Sequence, residues 1–245
     1  MSILCVIPAR YASTRLPGKP LALIASRPMI QHVYERACKA VRPDQVLIAT
    51  DHDLVYAAVK AFGGHVMLTS PDHPTGTDRL AEVARSCPDY SLIINVQGDE
   101  PLIDPVVIDQ LAAAFDNKPH LNMATLATVM EAHEYDNPNA VKVVTDLDGN
   151  ALYFSRSRIP FPRVPIDGLP VYKHIGIYAY RRDFLLTYAS LPPTPLEKTE
   201  SLEQLRALEH GYRIQVLLTD FTSFGVDTPE DLALVNRIVT QEDKQ

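Results

Sequence analysis

Apolar positions along the chain alternate between two textures. Residues 3–7 (ILCVI), 46–49 (VLIA) and 92–96 (LIINV) are short, nearly continuous apolar runs, the pattern of strands covered on both faces in a parallel sheet. Between them lie segments of helical period. One spans 28–40, with Met29, Ile30, Val33 and Ala37 on one face, another spans 53–62 and is closed by Gly63-Gly64, and a third spans 79–86. A fourth helix is predicted at 105–115. This order predicts an α/β fold with a doubly wound, mostly parallel, Rossmann-like sheet.

Beyond residue 120 the texture changes. Segments 123–129 and 141–145 read as strands, DLDGN at 146–150 as a hairpin turn, and 151–155 as the returning strand. The proline-rich stretch 159–170 is predicted as a loop and 174–180 as a strand. A helix is predicted over 197–210, with Leu202, Leu205 and Leu208 inward and Gly211 closing it, followed by a last strand at 214–218. Thr228-Pro229-Glu230-Asp231 reads as a helix start, with Thr228 as N-cap and Pro229 at the first helical position. The second half therefore adds an antiparallel excursion. The 245 residues are read as one domain, 1–245, with a first half of about 1–120 and a lobe of about 121–225.

Composition narrows the classes. With 46% hydrophobic and 22% charged residues the chain is an ordinary globular sequence, not a disordered or collagen-like one. Its three cysteines are widely spaced and odd in number, so neither a disulfide framework nor a zinc knuckle is expected, and a reducing cytoplasm fits. No apolar run approaches the ~18 residues of a membrane span, so neither secretion nor membrane insertion is expected. The net charge of -7 argues against a nucleic-acid partner.

Charge is unevenly placed. There are 30 Asp and Glu against 23 Lys and Arg, yet none of the acids occurs before Glu35, whereas Arg10, Arg15, Lys19 and Arg27 do. The loop VIPARYASTRLPGKPL follows the first strand, at the carboxyl edge where open α/β sheets bind ligands. It is not a phosphate loop, since Ser13 stands at the first glycine place of GxxxxGK[ST] and Pro20 at the hydroxyl place, and no GxG spacing occurs anywhere. On charge alone, a solvated surface loop and a loop gripping phosphates through side-chain cations both remain open. Two carboxylates come next. Asp99 in QGDEP follows the strand at 92–96, and Asp227 in GVDTPED precedes a helix. They suit a divalent cation with few protein ligands; a plain turn at Asp99 and a helix cap at Asp227 are the alternatives. HxxxH and GxSxG are absent, which disfavours zinc and serine-hydrolase chemistry.

Taken together, IPARYASTRLPGKPL, NVQGDEP, ALYFSR, KHIGIYAY, LEQLRALE and GVDTPEDL closely resemble the 3-deoxy-manno-octulosonate (Kdo) cytidylyltransferases, the CMP-Kdo synthetases. The resemblance covers nearly the whole chain. It implies transfer of CMP from CTP to the anomeric hydroxyl of Kdo, with pyrophosphate released and Mg²⁺ required, by a cytoplasmic enzyme of lipopolysaccharide biosynthesis that is a homodimer in the family's habit. It further implies that Arg10, Ser13, Arg15 and Lys19 hold the triphosphate, and that Ser70, Gly76, Thr77 and Arg79 lie near cytosine or ribose. Asp99 and Asp227 would hold magnesium, while Gln97, Arg156, His174, Glu203 and Gln204 would meet the sugar acid. Residues 1–120 become the CTP-binding half and 121–225 the sugar-binding and dimerisation lobe. Thr75 and Asp78 in TGTDRL, where the family pattern expects SGTERL, and a short proline-rich stretch at 159–173 are departures. They leave 8-amino-Kdo or another ulosonate such as sialate as alternative substrates.

Overall fold

The computed structural model describes residues 1–12, 15–164, 166 and 168–242. β1 (Ile3–Ala9) has Leu4, Cys5, Val6 and Ile7 fully covered, so both of its faces carry helices and it lies mid-sheet. A single 3-10 turn at Lys19–Leu21 and a ribbon of β2 (Leu23–Ile24) and β3 (Arg27–Pro28) lead into α1 (Met29–Ala37). β4 (Gln45–Thr50), α2 (Asp53–Ala61), β5 (Val66–Leu68), α3 (Gly76–Ser86), β6 (Leu92–Asn95) and α4 (Pro105–Ala113) follow. The second half contains β7 (Met123–Val129), β8 (Lys142–Thr145), β9 (Ala151–Ser155), β10 (Tyr172–Arg181), α5 (Arg182–Ser190), α6 (Pro195–Glu200), α7 (Leu205–Glu209), β11 (Gln215–Leu218) and α8 (Pro229–Glu242).

The main sheet runs β11-β7-β10-β6-β1-β4-β5. β6, β1, β4 and β5 are parallel, as are β7 and β11, and β10 enters antiparallel to both β6 and β7. The β8–β9 hairpin joins through β8 and β10. Alternate side chains feed two apolar layers. Ile30, Val33, Ile108 and Leu111 of α1 and α4 lie on one side, and Leu80, Val83, Leu185 and Tyr188 of α3 and α5 on the other. The fold is thus the expected α/β class with its antiparallel excursion.

Three local readings change. α3 begins at Gly76, one turn before the predicted residue 79, because Thr75 and Asp78 form a reciprocal capping box ahead of it. The short strands β2, β3 and β5 span only two, two and three residues, too few for a period to mark them. The predicted helix 197–210 is two helices, α6 and α7, separated at Ser201, whose φ of 51° is left-handed. The cause is tertiary: Arg156 donates from Nε to the Glu200 carbonyl at 2.7 Å and from a terminal nitrogen to the Ser201 carbonyl at 3.3 Å. Those acceptors are taken from the helix ladder.

Candidate active site

β1 and β6 are neighbours in the sheet, and their carboxyl ends open into a cleft of about 470 Å³ lined by Arg10, Arg15, Lys19, Gly76, Gln97, Asp99 and Asp227, among others. Gly98 permits the turn out of β6, since a Cβ there would stand 2.5 Å from the Pro8 carbonyl oxygen. Gly18, at a left-handed φ of 66°, opens the 3-10 turn that presents Lys19. A Cβ added at Gly18 would meet the Tyr11 ring at 3.5 Å, and that ring stacks on His52 with centroids 3.9 Å apart. Asp227 is delivered by the start of α8. The cap there is made by other residues: Thr228 Oγ1 accepts from Asp231 N at 3.2 Å, while Asp231 accepts from the backbone of Thr228 and Asp227 at 2.9 and 3.0 Å. The Asp227 carboxylate is therefore not the cap and points into the cleft. Val226 N donates to Asp99 O at 2.9 Å, which fastens the two acidic segments to each other.

There the charges meet. Lys19 Nζ lies 2.6 Å from Asp99 Oδ2 and 2.8 Å from Asp227 Oδ1, and Arg15 stands 3.0 Å from the same Asp227 oxygen. Burial opposes the lysine's charge, but the two carboxylates outweigh it and hold its pKa above the ordinary value. Two carboxylates from segments 128 residues apart thus converge on one cationic point. Such a pair could hold a divalent cation that takes its remaining oxygens from phosphates and water. Among the described residues no third His, Cys, Asp or Glu joins them.

Arg10 borders the cleft and donates to the His73 carbonyl at 2.8 Å. The loop containing Ser70 and His73 is held from α3, where Glu82 accepts from Ser70 N at 2.9 Å and contacts His73 Nε2. Gly76 reaches the cleft at the α3 N-terminus, and Thr77 behind it is buried. Arg79 is different in kind. It has no exposed surface, its guanidinium is tied to Thr69 Oγ1 and, at 2.7 Å, to Asp51, and burial depresses its pKa against the pull of Asp51. Asp51 also accepts from Tyr11 N at 3.3 Å, so Arg79 braces the first loop from behind. Ser13 lies outside the described residues.

The residues expected at the sugar end are placed less directly. Gln97 lines the cleft and donates to the Gly176 carbonyl at 2.9 Å, at the irregularity in the pairing of β10 with β7. His174 lies edge-on to Phe154 with Nε2 3.0 Å from Thr125 Oγ1, and burial lowers its pKa to about 3, so the ring is neutral. Arg156 spends its guanidinium on the carbonyls of Pro138, Glu200 and Ser201. It shapes the turn that carries Glu203 and the buried Gln204. Burial pushes the Glu203 carboxyl up, while the Thr75 and Thr77 hydroxyls facing it pull the other way, which sets Glu203 against the start of α3. None of Arg79, Arg156, His174, Glu203 and Gln204 lines the cleft itself.

Sequence reasoning missed Glu100. It is 7% exposed, receives the Ser223 hydroxyl, and anchors the segment leading to Asp227; burial raises its pKa to about 7. Its position beside Asp99 in QGDEP was the only signal, and a local motif does not show which of two adjacent acids turns inward.

A family model described as cytidylyltransferase matches residues 4–214. A 3-deoxy-manno-octulosonate cytidylyltransferase of Syntrophotalea carbinolica is 55% identical over 244 residues, spanning 96% of this chain and 97% of its own length. The chain belongs to the 3-deoxy-manno-octulosonate cytidylyltransferase family. A second such cytidylyltransferase, from Geobacter sulfurreducens, is 54% identical over 246 residues, 96% of this chain and 98% of its own. A solved structure of CMP:2-keto-3-deoxy-manno-octonic acid synthetase complexed with CTP matches at a TM-score of 0.95 and 46% identity, over 99% of this chain and all of that one. In this chain the corresponding cleft sets three cations, Arg10, Arg15 and Lys19, beside two carboxylates, Asp99 and Asp227.

Proposed function

We propose that the chain transfers CMP from CTP to the anomeric hydroxyl of 3-deoxy-D-manno-octulosonate, releasing pyrophosphate and forming CMP-Kdo for lipopolysaccharide biosynthesis. The observation that carries this reading is the convergence of Arg15, Lys19, Asp99 and Asp227 at the open ends of β1 and β6. Side-chain cations there neutralise a triphosphate, so that an anionic sugar can approach its α-phosphorus. Arg10 and Arg15 offer planar donor pairs to phosphate oxygens, and Lys19 offers a mobile point charge. Gln97, on the rigid β6 end and fixed by Gly176, faces the position of the incoming sugar, with Glu203 across the start of α3. As the anomeric oxygen bonds to phosphorus, the bond to pyrophosphate breaks, and alignment of those three centres is the protein's main contribution. Mg²⁺ fits the Asp99 and Asp227 pair, and when bound it supplies charge neutralisation at the α-phosphate.

Three finer readings accompany this one. Cys5, Cys38 and Cys87 are unpaired thiols, which accords with a cytoplasmic enzyme. No helix among the described residues is long and apolar enough to cross a membrane. A homodimer through the second lobe is supported by exposed Phe161, Val164, Ile166 and Leu169, and light scattering at micromolar protein tests it. The deciding assay is pyrophosphate release from each of four nucleoside triphosphates crossed with Kdo, 8-amino-Kdo and sialate. Release only with CTP and Kdo is the expected outcome; preference for 8-amino-Kdo or sialate shifts the substrate, and release without any sugar overturns the reading.

A further inference from the structure

Lys19 occupies the one point that both carboxylates address. Its Nζ stands 2.6 and 2.8 Å from Asp99 Oδ2 and Asp227 Oδ1, and the side chain is only 13% exposed. A magnesium ion held by the same two oxygens would need the place between them that the ammonium fills. Lysine and metal therefore compete for a single seat. Charge makes the competition conditional. Asp99 and Asp227 carry two negative charges and Lys19 and Arg15 two positive ones, so the quartet is neutral. If a divalent cation takes the carboxylates, the pair stays neutral, but the two side-chain cations are left beside a metal ion with no anion to receive them. Lys19, only 13% exposed, would bear most of that cost, whereas Arg15, 64% exposed, keeps its water. A triphosphate in the same cleft removes the difficulty, because it accepts Lys19 and Arg15 as the carboxylates accept the metal.

We propose that Lys19 is an internal counter-cation, holding Asp99 and Asp227 together before substrate arrives and yielding them to a divalent cation only when a nucleoside triphosphate draws its ammonium away. The lysine thus has two successive partners within reach of one flexible side chain, carboxylates first and phosphates second. Arg15 moves with it. Metal on the Asp99–Asp227 pair and nucleotide are positively coupled, and the coupling is reciprocal. The enzyme without nucleotide resists loading by free divalent cations, and the acidic pair does not spring apart for want of a cation. This rests on the reading that Asp99 and Asp227 hold the metal.

The test is direct binding of Mn²⁺ to the full-length protein, followed by the electron paramagnetic resonance signal of the free ion. Without nucleotide, Lys19→Met should bind Mn²⁺ at least tenfold more tightly than the unaltered enzyme, and adding Asp99→Asn to that variant should abolish the gain. In EDTA the melting temperature of Lys19→Met should fall, through repulsion between the two carboxylates, and Mn²⁺ alone should restore it. Lys19→Gln, neutral and smaller, should behave likewise and serves if the methionine variant folds poorly. With α,β-methylene-CTP present, the unaltered enzyme should hold one more Mn²⁺ than its Asp99→Asn variant. Equal Mn²⁺ affinity of the unaltered enzyme and both lysine variants overturns the counter-cation role. If Asp99→Asn leaves the stoichiometry with the nucleotide analogue unchanged, it is the metal reading underneath that has failed.

Discussion

Asp227 does two things with two different atoms. Its backbone N–H helps close the α8 cap on Asp231, and its carboxylate meets Lys19 and Arg15. Substitutions can separate these roles. Asp227→Asn keeps shape and cap, so it should melt close to the unaltered enzyme while kcat falls by two orders of magnitude or more, and the double variant with Asp99→Asn should be little worse, since the two act as a unit. Thr228→Ala should do the opposite, costing about 1 kcal/mol of stability through the lost cap and sparing kcat. Thermal melts and steady-state turnover on the same preparations check both. Glu100 offers a pH test at the same scale. Burial lifts its carboxyl from 4.5 to about 7, so the unfolded chain releases that proton earlier than the folded one. The group's contribution is then fully favourable below about pH 4.5 and is lost as pH rises toward 7, at up to about 1.4 kcal/mol per pH unit. Glu100→Gln cannot ionise, so the variant should gain stability relative to the unaltered enzyme between pH 5 and pH 7.5, measured by urea unfolding in EDTA. A constant difference across that range would show that Glu100 does not titrate there.

Among the elements, the most instructive is the helix that splits. Residues 197–210 have helical apolar spacing, and α6 starts well, with Thr194 and Glu197 in a capping box and Pro195 at its first position. It stops because Arg156, on the strand-end 45 residues earlier, takes the carbonyls the next turn would need. The same guanidinium takes the Pro138 carbonyl at 3.0 Å, and buried Lys142 bonds Asn137 and Arg156 carbonyls at 2.7 and 2.9 Å. Arg156→Met should therefore cost roughly 1.5 to 3 kcal/mol. It should also raise KM for the sugar acid while leaving KM for CTP nearly unchanged, because the turn it holds carries Glu203. Arg156→Lys should recover little of either, since a single ammonium cannot span three carbonyls on two segments. Kinetics with each substrate varied in turn will show whether the defect is confined to the sugar.

At the scale of the molecule, β10 matters most. It pairs antiparallel with β6 of the first half and β7 of the second, with registers running from Tyr178–Asn95 to Tyr172–Val129, so neither half completes its sheet alone. Urea unfolding should accordingly be one cooperative transition, with far-UV circular dichroism and tyrosine fluorescence coincident. A plateau between them would mean that the halves unfold separately. CTP with Mg²⁺ at a hundred times its Kd should move that transition by about 2.7 kcal/mol.

Several features were legible without coordinates because their causes are local. Buried strands need continuous apolar runs, so β1, β4 and β6 were visible in ILCVI, VLIA and LIINV. A proline after a threonine marked the start of α8, and the glycine of QGDEP marked a turn, while the acid-free opening loop left a solvated surface and a grip on phosphates both open. What the chain alone could not reveal were partnerships between distant residues. Arg79 and Arg15 are both arginines in loop or helix-start contexts, yet Asp51 and Thr69 bury one as a brace while the other stands in the cleft beside Asp227. Likewise Asp227 could have been a cap or a cleft carboxylate until Thr228 and Asp231 were seen to make the cap, and only then did Asp99 prove to share Lys19 with it. Local pattern encodes which surface a residue prefers, whereas the choice of ionic partner depends on which segments the sheet brings within about 3 Å, and that is a property of the folded chain alone.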